Sequence, residues 1–290
     1  MAQRSKSHPD NVPGSFFVDS SCIDCGTCYE YLPWVFREAN DHSRVFHQPE
    51  GSSDRRHALM ALLACPTGSI GTDDGAGLKA AQQAFPDPIE EEVSFCGFTS
   101  EKSFGAWSYL IQRPDGNVLV DSPRAVPALM QRLEQLGGLD LMVLSHQDDV
   151  ADHAAYHDRF RCQRVLHRAD LGESTAGVER PIDGDEPVRL APDLLFIPTP
   201  GHTAGSACLL YRDKFLFSGD HLWWSPRVGR LSASRSFCWH HWPTQIASLE
   251  RLLAYDFTWV LPGHGHSHRA GSPQAMRADL EHAIAFLKRP

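Results

Sequence analysis

Residues 139–153 read LDLMVLSHQDDVADH: an apolar run of strand length that stops at His146 and opens into a loop of carboxylates and a second imidazole. Three later runs share that grammar. LLFIPTPGH (194–202) ends at His202, KFLFSGD (214–220) at Asp220 and TWVLPGH (258–264) at His264. A compact apolar run bounded by turn residues reads as a buried strand. Strands of one sheet end along a common edge, so four such ends can converge although they are far apart in sequence. One histidine at a strand end is usually structural. Four metal-suited ends, with Asp148, Asp149, Asp152 and His153 beside the first, would repel or stay unsatisfied without cations. A metal site is the expectation.

Around these runs strands alternate with helices. SYLIQ (108–112) and NVLVDS (117–122) flank a turn at RPDG and predict a hairpin. VPALMQRLEQLG (126–137), HAAYHDRF (153–160), TQIASLERLLAY (244–255) and a segment near PQAMRADLEHAIAFLKR carry helical spacing. Hairpins mixed with strand–helix units imply layered helices and mixed sheets.

The N-terminal part has a different text. Cys22, Cys25 and Cys28 form CIDCGTC, and Cys65 precedes Pro66. Tight C-x2-C-x2-C spacing lets one loop deliver three thiolates to a cubane, and a fourth arrives from elsewhere with a proline behind it. Where a two-cluster sequence carries its next Cys-Pro, this chain has Leu32-Pro33, so one cluster is expected. A zinc site of four thiolates is the alternative, but such sites pair two two-cysteine knuckles and no second pair is present. VDSSCIDCGTCYEYLPWVF and ALLACPTGSI resemble single-cluster bacterial ferredoxins, which implies a [4Fe–4S] cluster held by these four cysteines.

The larger part, with a strand ending at His146 and an Asp152-His153 pair further along the loop, then TPGHTAGS, GD and PGH, resembles the metallo-β-lactamase superfamily. That resemblance implies an α+β fold: an αββα sandwich with a binuclear site on one rim, preceded here by the small ferredoxin-like domain. It implies that His146 and His202 hold the first metal, that Asp220 bridges, and that His264 belongs to the second. Asp121 would stand behind the ligands, and Gly201 and Gly219 would let the backbone turn beside the ions. The superfamily's usual loop is H-x-H-x-D-H, whereas this chain has Asp148 in place of the second histidine and its Asp-His pair two residues late. Either the loop is longer and Asp152 and His153 serve the second metal, or the register holds and Val150-Ala151 cripple that site. The longer loop is preferred, because an Asp-His pair opening a helix supplies what the second metal needs. Asp148 is then the replacement ligand, with Asp149 its understudy. A hard carboxylate in that position suits iron or manganese, whereas imidazole-rich sites suit zinc.

The domain boundaries expected are a flexible N-terminus at 1–13, a ferredoxin-like domain at 14–75, a Gly-, Pro- and acid-rich linker at 76–92 with a short helix near 78–84, and the metallo-β-lactamase-fold domain at 93–290. Twenty-seven Lys and Arg against 36 Asp and Glu give a formal charge of −9, which argues against nucleic acid or an anionic membrane as the main partner. No apolar run spans a membrane and no secretory signal opens the chain, so a cytoplasmic, reducing location is expected. Residues 221–243 gather Trp with Arg227, Arg230 and Arg235; they read equally as a wall for a small-molecule substrate and as a covering segment. No nucleophile elbow, Rossmann or P-loop pattern occurs.

Three functions follow from these readings. The first is a redox enzyme in which the cluster exchanges electrons with a diiron centre, served by an electron-transfer protein. The second is a zinc hydrolase of esters, thioesters or phosphodiesters, with Asp152 and Asp220 at the catalytic water and a structural or regulatory cluster. The third is a non-catalytic electron carrier. The redox enzyme is preferred, on the fusion itself and on Asp148.

Overall fold

The computed structural model describes residues 2–289. The chain divides into two compact units. The first runs to Asp140 and includes Ala151–Arg161; the second comprises Leu141–Val150 and the chain from Cys162 onward.

The first unit begins with β1 (Phe16–Val18), α1 (Thr27–Tyr31), the strands β2 (Phe36–Glu38) and β3 (Ser43–Val45), α2 (Gly51–Ala64) and β4 (Ile70–Thr72). β1 pairs antiparallel with β4, and β2 with β3. The second half of α2 buries Ala58, Leu59, Met60, Ala61 and Ala64. Pro66 disfavours helical backbone at the residue before it, so Cys65 is extended and the helix stops there. That stop delivers the fourth thiol. The unit continues through α3 (Leu78–Gln83), the antiparallel strands β5 (Asp87–Glu90), β6 (Val93–Phe95), β7 (Tyr109–Ile111) and β8 (Val118–Val120), α4 (Pro127–Gln135) and α5 (His153–Phe160). The hairpin expected around RPDG is β7–β8, with Tyr109 opposite Val120.

Two segments differ from expectation. Residues 76–92 hold α3, as expected, but also β5, which pairs with β6 as a sheet strand. The N-terminal residues expected to be flexible are tied down: His8 N donates to Val18 O at 3.0 Å, and Ser7 bridges to Asp19. The physical cause is Asn11, whose amide donates to Val18 O and accepts from Val18 N and Val45 N. Hydrogen bonds also run across the composition break: Thr99 Oγ1 donates to Ala64 O at 2.7 Å and Thr27 Oγ1 to Gly105 O at 2.9 Å.

The second unit contains the parallel strands β9 (Leu141–Val143), β10 (Gln163–His167) and β11 (Arg180–Ile182). It also holds a mixed six-stranded sheet of β12 (Val188–Ala191), β13 (Leu194–Pro198), β14 (Ala207–Tyr211), β15 (Phe215–Gly219), β18 (Trp259–Pro262) and β19 (His268–Arg269). The ribbon β16 (Trp223–Ser225) and β17 (Arg230–Ser232) and the helices α6 (Trp242–Leu252) and α7 (Pro273–Leu287) complete it. β14 and β15 are buried at every position, which is why they read as unbroken apolar runs. Leu210, Leu216 and Val260 of the sheet pack in one core with Leu249 and Leu252 of α6 and Met276 and Leu280 of α7. Each such side chain contributes about 1.5–3 kcal/mol. Among the described residues no helix is long and apolar enough to cross a membrane.

Candidate metal centres

Cys22, Cys25, Cys28 and Cys65 line one cavity in the first unit with Thr27, Ser43, Pro66, Thr67 and Ser69. All four are thiols outside any disulfide. Ser43 N donates to Cys22 Sγ and Ser69 N to Cys65 Sγ, each at 3.3 Å, and Thr27 Oγ1 lies 3.4 Å from Cys25 Sγ. Burial pushes the Cys25 thiol up to about 12 and raises Cys22 and Cys28 as well. Four thiolates so enclosed need positive charge among them, and hydrogen bonds aimed at sulfur are what an iron–sulfur cluster uses to set its potential. Gly105 comes so close that a Cβ there would stand 2.7 Å from Cys25 Sγ.

In the second unit His146 follows β9, His202 follows β13, Asp220 follows β15 and His264 follows β18, so the strand-end reading places all four together. His146 Nε2 and His202 Nε2 lie 3.9 and 3.8 Å from Asp220 Oδ2. Asp148 Oδ2 faces the same two nitrogens at 3.9 and 3.5 Å. The imidazoles meet edge-on, 4.7 Å apart at 85°. His264 Nδ1 is 2.8 Å from Asp220 Oδ1. Ser145 Oγ sits 2.9 Å from His146 Nδ1, which leaves Nε2 for the cluster of carboxylates.

The two Nε2 atoms are buried and make no hydrogen bond. Such atoms are costly to leave unmatched, and a cation between them and the two carboxylates removes the cost. The donor set therefore fits a metal. Burial lowers the His146 imidazole, which keeps it neutral and able to ligate. Burial alone would raise the Asp220 carboxyl, but His264, then His146 and His202, hold it well below the carboxylate range.

Asp149, expected only as an understudy, is 1% exposed, and its Oδ2 lies 4.0 Å from His146 Nδ1. One donor atom each from His146, Asp149 and Asp220 lie within 4.8 Å of one another, as do those of His146, Asp148 and His202. Asp152 and His153 are the pair expected at the second metal. They open α5 in the first unit, and the Asp152 carboxylate is committed there: Oδ1 takes Lys102 Nζ at 2.7 Å and Oδ2 the Ala125 N–H at 2.9 Å.

Three further residues bear on the site, of which Asp170 and Gly263 escaped the sequence reading. Asp170, 1% exposed, accepts from Gln147 N, Thr203 Oγ1 and Gly205 N. His221, next to Asp220 in the chain and buried, is lowered to about 3 by burial. Gly263 is the third: a Cβ there would stand 2.6 Å from Asp149 Oδ2 and 2.9 Å from Asp220 Oδ1.

The Trp- and Arg-rich segment is strapped to the site. Trp239 N and His240 N both donate to His202 O, at 2.8 and 3.0 Å, and His241 N to Gly201 O at 3.1 Å. The strap holds Trp239, 63% exposed, with its ring 6.3 Å from that of His202.

Residues 18–72 match the family model of the 4Fe-4S single cluster domain of Ferredoxin I. Hydroxyacylglutathione hydrolase of Rhizobium etli is 28% identical over 190 residues, covering 62% of this chain and 68% of that enzyme. Among solved structures, the metallo-beta-lactamase from Pontibacter korlensis is similar with a TM-score of 0.51 and 16% identity, over 70% of this chain and 98% of that one. ETHE1 from Myxococcus xanthus gives a TM-score of 0.45 and 24% identity, over 68% and 92%.

Proposed function

From a chain that joins a single-cluster ferredoxin domain to a metallo-β-lactamase fold, we propose a metal-dependent oxidoreductase whose [4Fe–4S] cluster exchanges electrons with a binuclear, iron-binding centre. The ferredoxin part covers residues 14–75 and the catalytic part 93–290. Cys22, Cys25, Cys28 and Cys65 would hold the cluster. His146, Asp148 and His202 would hold one ion, Asp149 and His264 would serve the other, and Asp220 would lie between them.

The observation that carries the reading is Asp148, whose Oδ2 faces both His146 Nε2 and His202 Nε2. A third hard carboxylate, besides Asp149 and Asp220, favours iron over zinc at an oxygen-rich site. Iron bound there supplies one-electron chemistry at a Lewis-acidic centre. The chain's own residues do the rest. A buried, neutral His146 imidazole and an ionised Asp220 set the charge of the site. Asp170 fixes the loops that carry His146 and His202. Trp239 offers an apolar face to a small-molecule substrate, and an electron-transfer protein would serve the cluster in the cytoplasm.

Anaerobic purification with metal analysis tests the proposal. About six irons per chain are expected, four in the cubane and two in the second centre. Four irons and two zincs would overturn it in favour of hydrolysis, the reading that the Rhizobium etli hydrolase supports. In the proposed enzyme Asp148→Ala loses at least one of the two non-cluster irons.

A further inference from the structure

Outside both centres, the first unit brings together His8, Asp10 and His42. One nitrogen or oxygen from each lies within 4.8 Å of the others. We propose that these three side chains form a separate site for a zinc-type divalent cation, clasping the N-terminal segment to the loop between β2 and β3.

The geometry at His42 is the first argument. Its Nε2 stands 3.1 and 3.2 Å from the two oxygens of Asp10. Two ligands on one tetrahedral zinc ion, with bonds of about 2.0–2.1 Å, stand about 3.3 Å apart. The other nitrogen, Nδ1, is 3.0 Å from Asp41 Oδ1. A carboxylate behind a ligating imidazole fixes its tautomer and raises its basicity, and it recurs at metal-binding histidines. Asp41 therefore leaves Nε2 as the ligand atom, on the side where Asp10 stands.

His8 is the second argument. An ordinary ion pair between Asp10 and His42 needs no third partner, yet the His8 ring lies 3.6 Å from the His42 ring, nearly parallel at 12°. Parallel rings cannot both aim a lone pair at one ion, so binding tilts His8 out of the stack. Nothing in its backbone opposes that. The main chain of His8 is pinned through its N–H to Val18 O and through its carbonyl, which accepts from Asn11 Nδ2 at 2.8 Å, and the side chain turns on that anchor. Two imidazoles and one carboxylate select a borderline first-row ion over calcium or magnesium, which take oxygen ligands. Water completes the tetrahedron.

The clasp has a consequence for the cluster. The residue after His42 is Ser43, whose N–H donates to Cys22 Sγ at 3.3 Å. An occupied site holds one of the cluster's hydrogen-bond donors in place.

The test uses the anaerobically purified full-length protein with its cluster, titrated with zinc alone against a chromophoric chelator. The wild type is expected to retain one zinc more per chain than His8→Gln or Asp10→Asn, with equal iron content and cluster absorbance in all three. His8→Gln keeps the backbone bond to Val18, so its fold is preserved. Equal zinc counts in the three proteins overturn the site. Zinc-edge X-ray absorption gives a second reading: a nitrogen–oxygen shell with imidazole scattering supports it, and a sulfur shell for the zinc lost in His8→Gln overturns it.

Discussion

Thr203 Oγ1 donates to Asp170 Oδ2 at 2.6 Å, and through this carboxylate the loop that carries His202 is tied to the loop that carries His146. The same oxygen accepts from Gln147 N at 3.0 Å, and Oδ1 from Gly205 N at 2.6 Å. Each of the two histidines is thus flanked by a residue bonded to Asp170. The candidate metal donors share a tie to a residue that touches none of the proposed ions.

Asp170→Ala leaves two backbone N–H groups and one hydroxyl without their acceptor in a buried place. Stability should fall by about 3 kcal/mol, measured by denaturant unfolding. Metal affinity should fall about 10–100-fold, the usual effect of removing a group that orients ligands, measured by competition with a chelator. Affinity equal to that of the wild type would show that the two loops hold their spacing unaided.

Gly263 makes room for two carboxylates. In Gly263→Ala the new Cβ meets Asp149 Oδ2 and Asp220 Oδ1 at 2.6 and 2.9 Å, and short, packed side chains have little room to give. Overpacking of this kind costs about 1–3 kcal/mol. The expected result is loss of the ion served by Asp149, with a lower melting temperature. Gly172→Ala, where a Cβ meets nothing within 4 Å, is the matched control and should change stability by less than about 0.5 kcal/mol.

The strand-end donors were legible because burial and chemistry write themselves into the same few residues. β13, β15 and β18 are apolar until the residue that must face the site, and the polar interruption marks it. Asp170 was not legible: it stands in HRAD, a polar stretch that reads as surface, and only the fold brings Thr203 and Gly205 to it. The loop after β9 was legible in composition but not in register, since four acids and imidazoles within six residues leave open which of them turn inward. Asp149 does so, whereas Asp152 turns to Lys102. β5 was hidden because Asp87-Pro88 and the acids after it resemble a linker, although an edge strand tolerates proline.

Glu179 sets part of the acid limb of stability. Burial would raise its carboxyl, but hydrogen bonds from the Arg164 side chain and N–H bring it down to about 2, from an ordinary 4.5. A carboxyl lowered in the folded state stabilises fully above its unfolded value and loses that contribution as pH falls through the folded one. The loss therefore runs from about pH 4.5 to about pH 2. With the carboxylate partly exposed, solvent screening limits it to about 1–2 kcal/mol. Glu179→Gln should flatten the decline of melting temperature over that window while lowering stability at neutral pH. A slope equal to the wild type's would remove the pair from the acid response.

The cluster cradle can be broken at a ligand or beside one. Cys25→Ser removes a thiolate and should lose or convert the cluster, with the metal of the second unit retained and helical content unchanged. Gly105→Ala leaves all four thiols in place. At φ +87°, however, it forces a left-handed conformation costing about 1 kcal/mol, and its Cβ would lie 2.7 Å from Cys25 Sγ and 3.0 Å from Thr27 Oγ1. The displaced Thr27 would also give up its bond to Gly105 O. Reconstituted Gly105→Ala should therefore show a visible absorption band well below that of the wild type, with circular dichroism confirming the fold. A full band in that variant would mean that residue 105 can withdraw from the cradle, and that the ferredoxin segment holds its cluster without support from the chain beyond it.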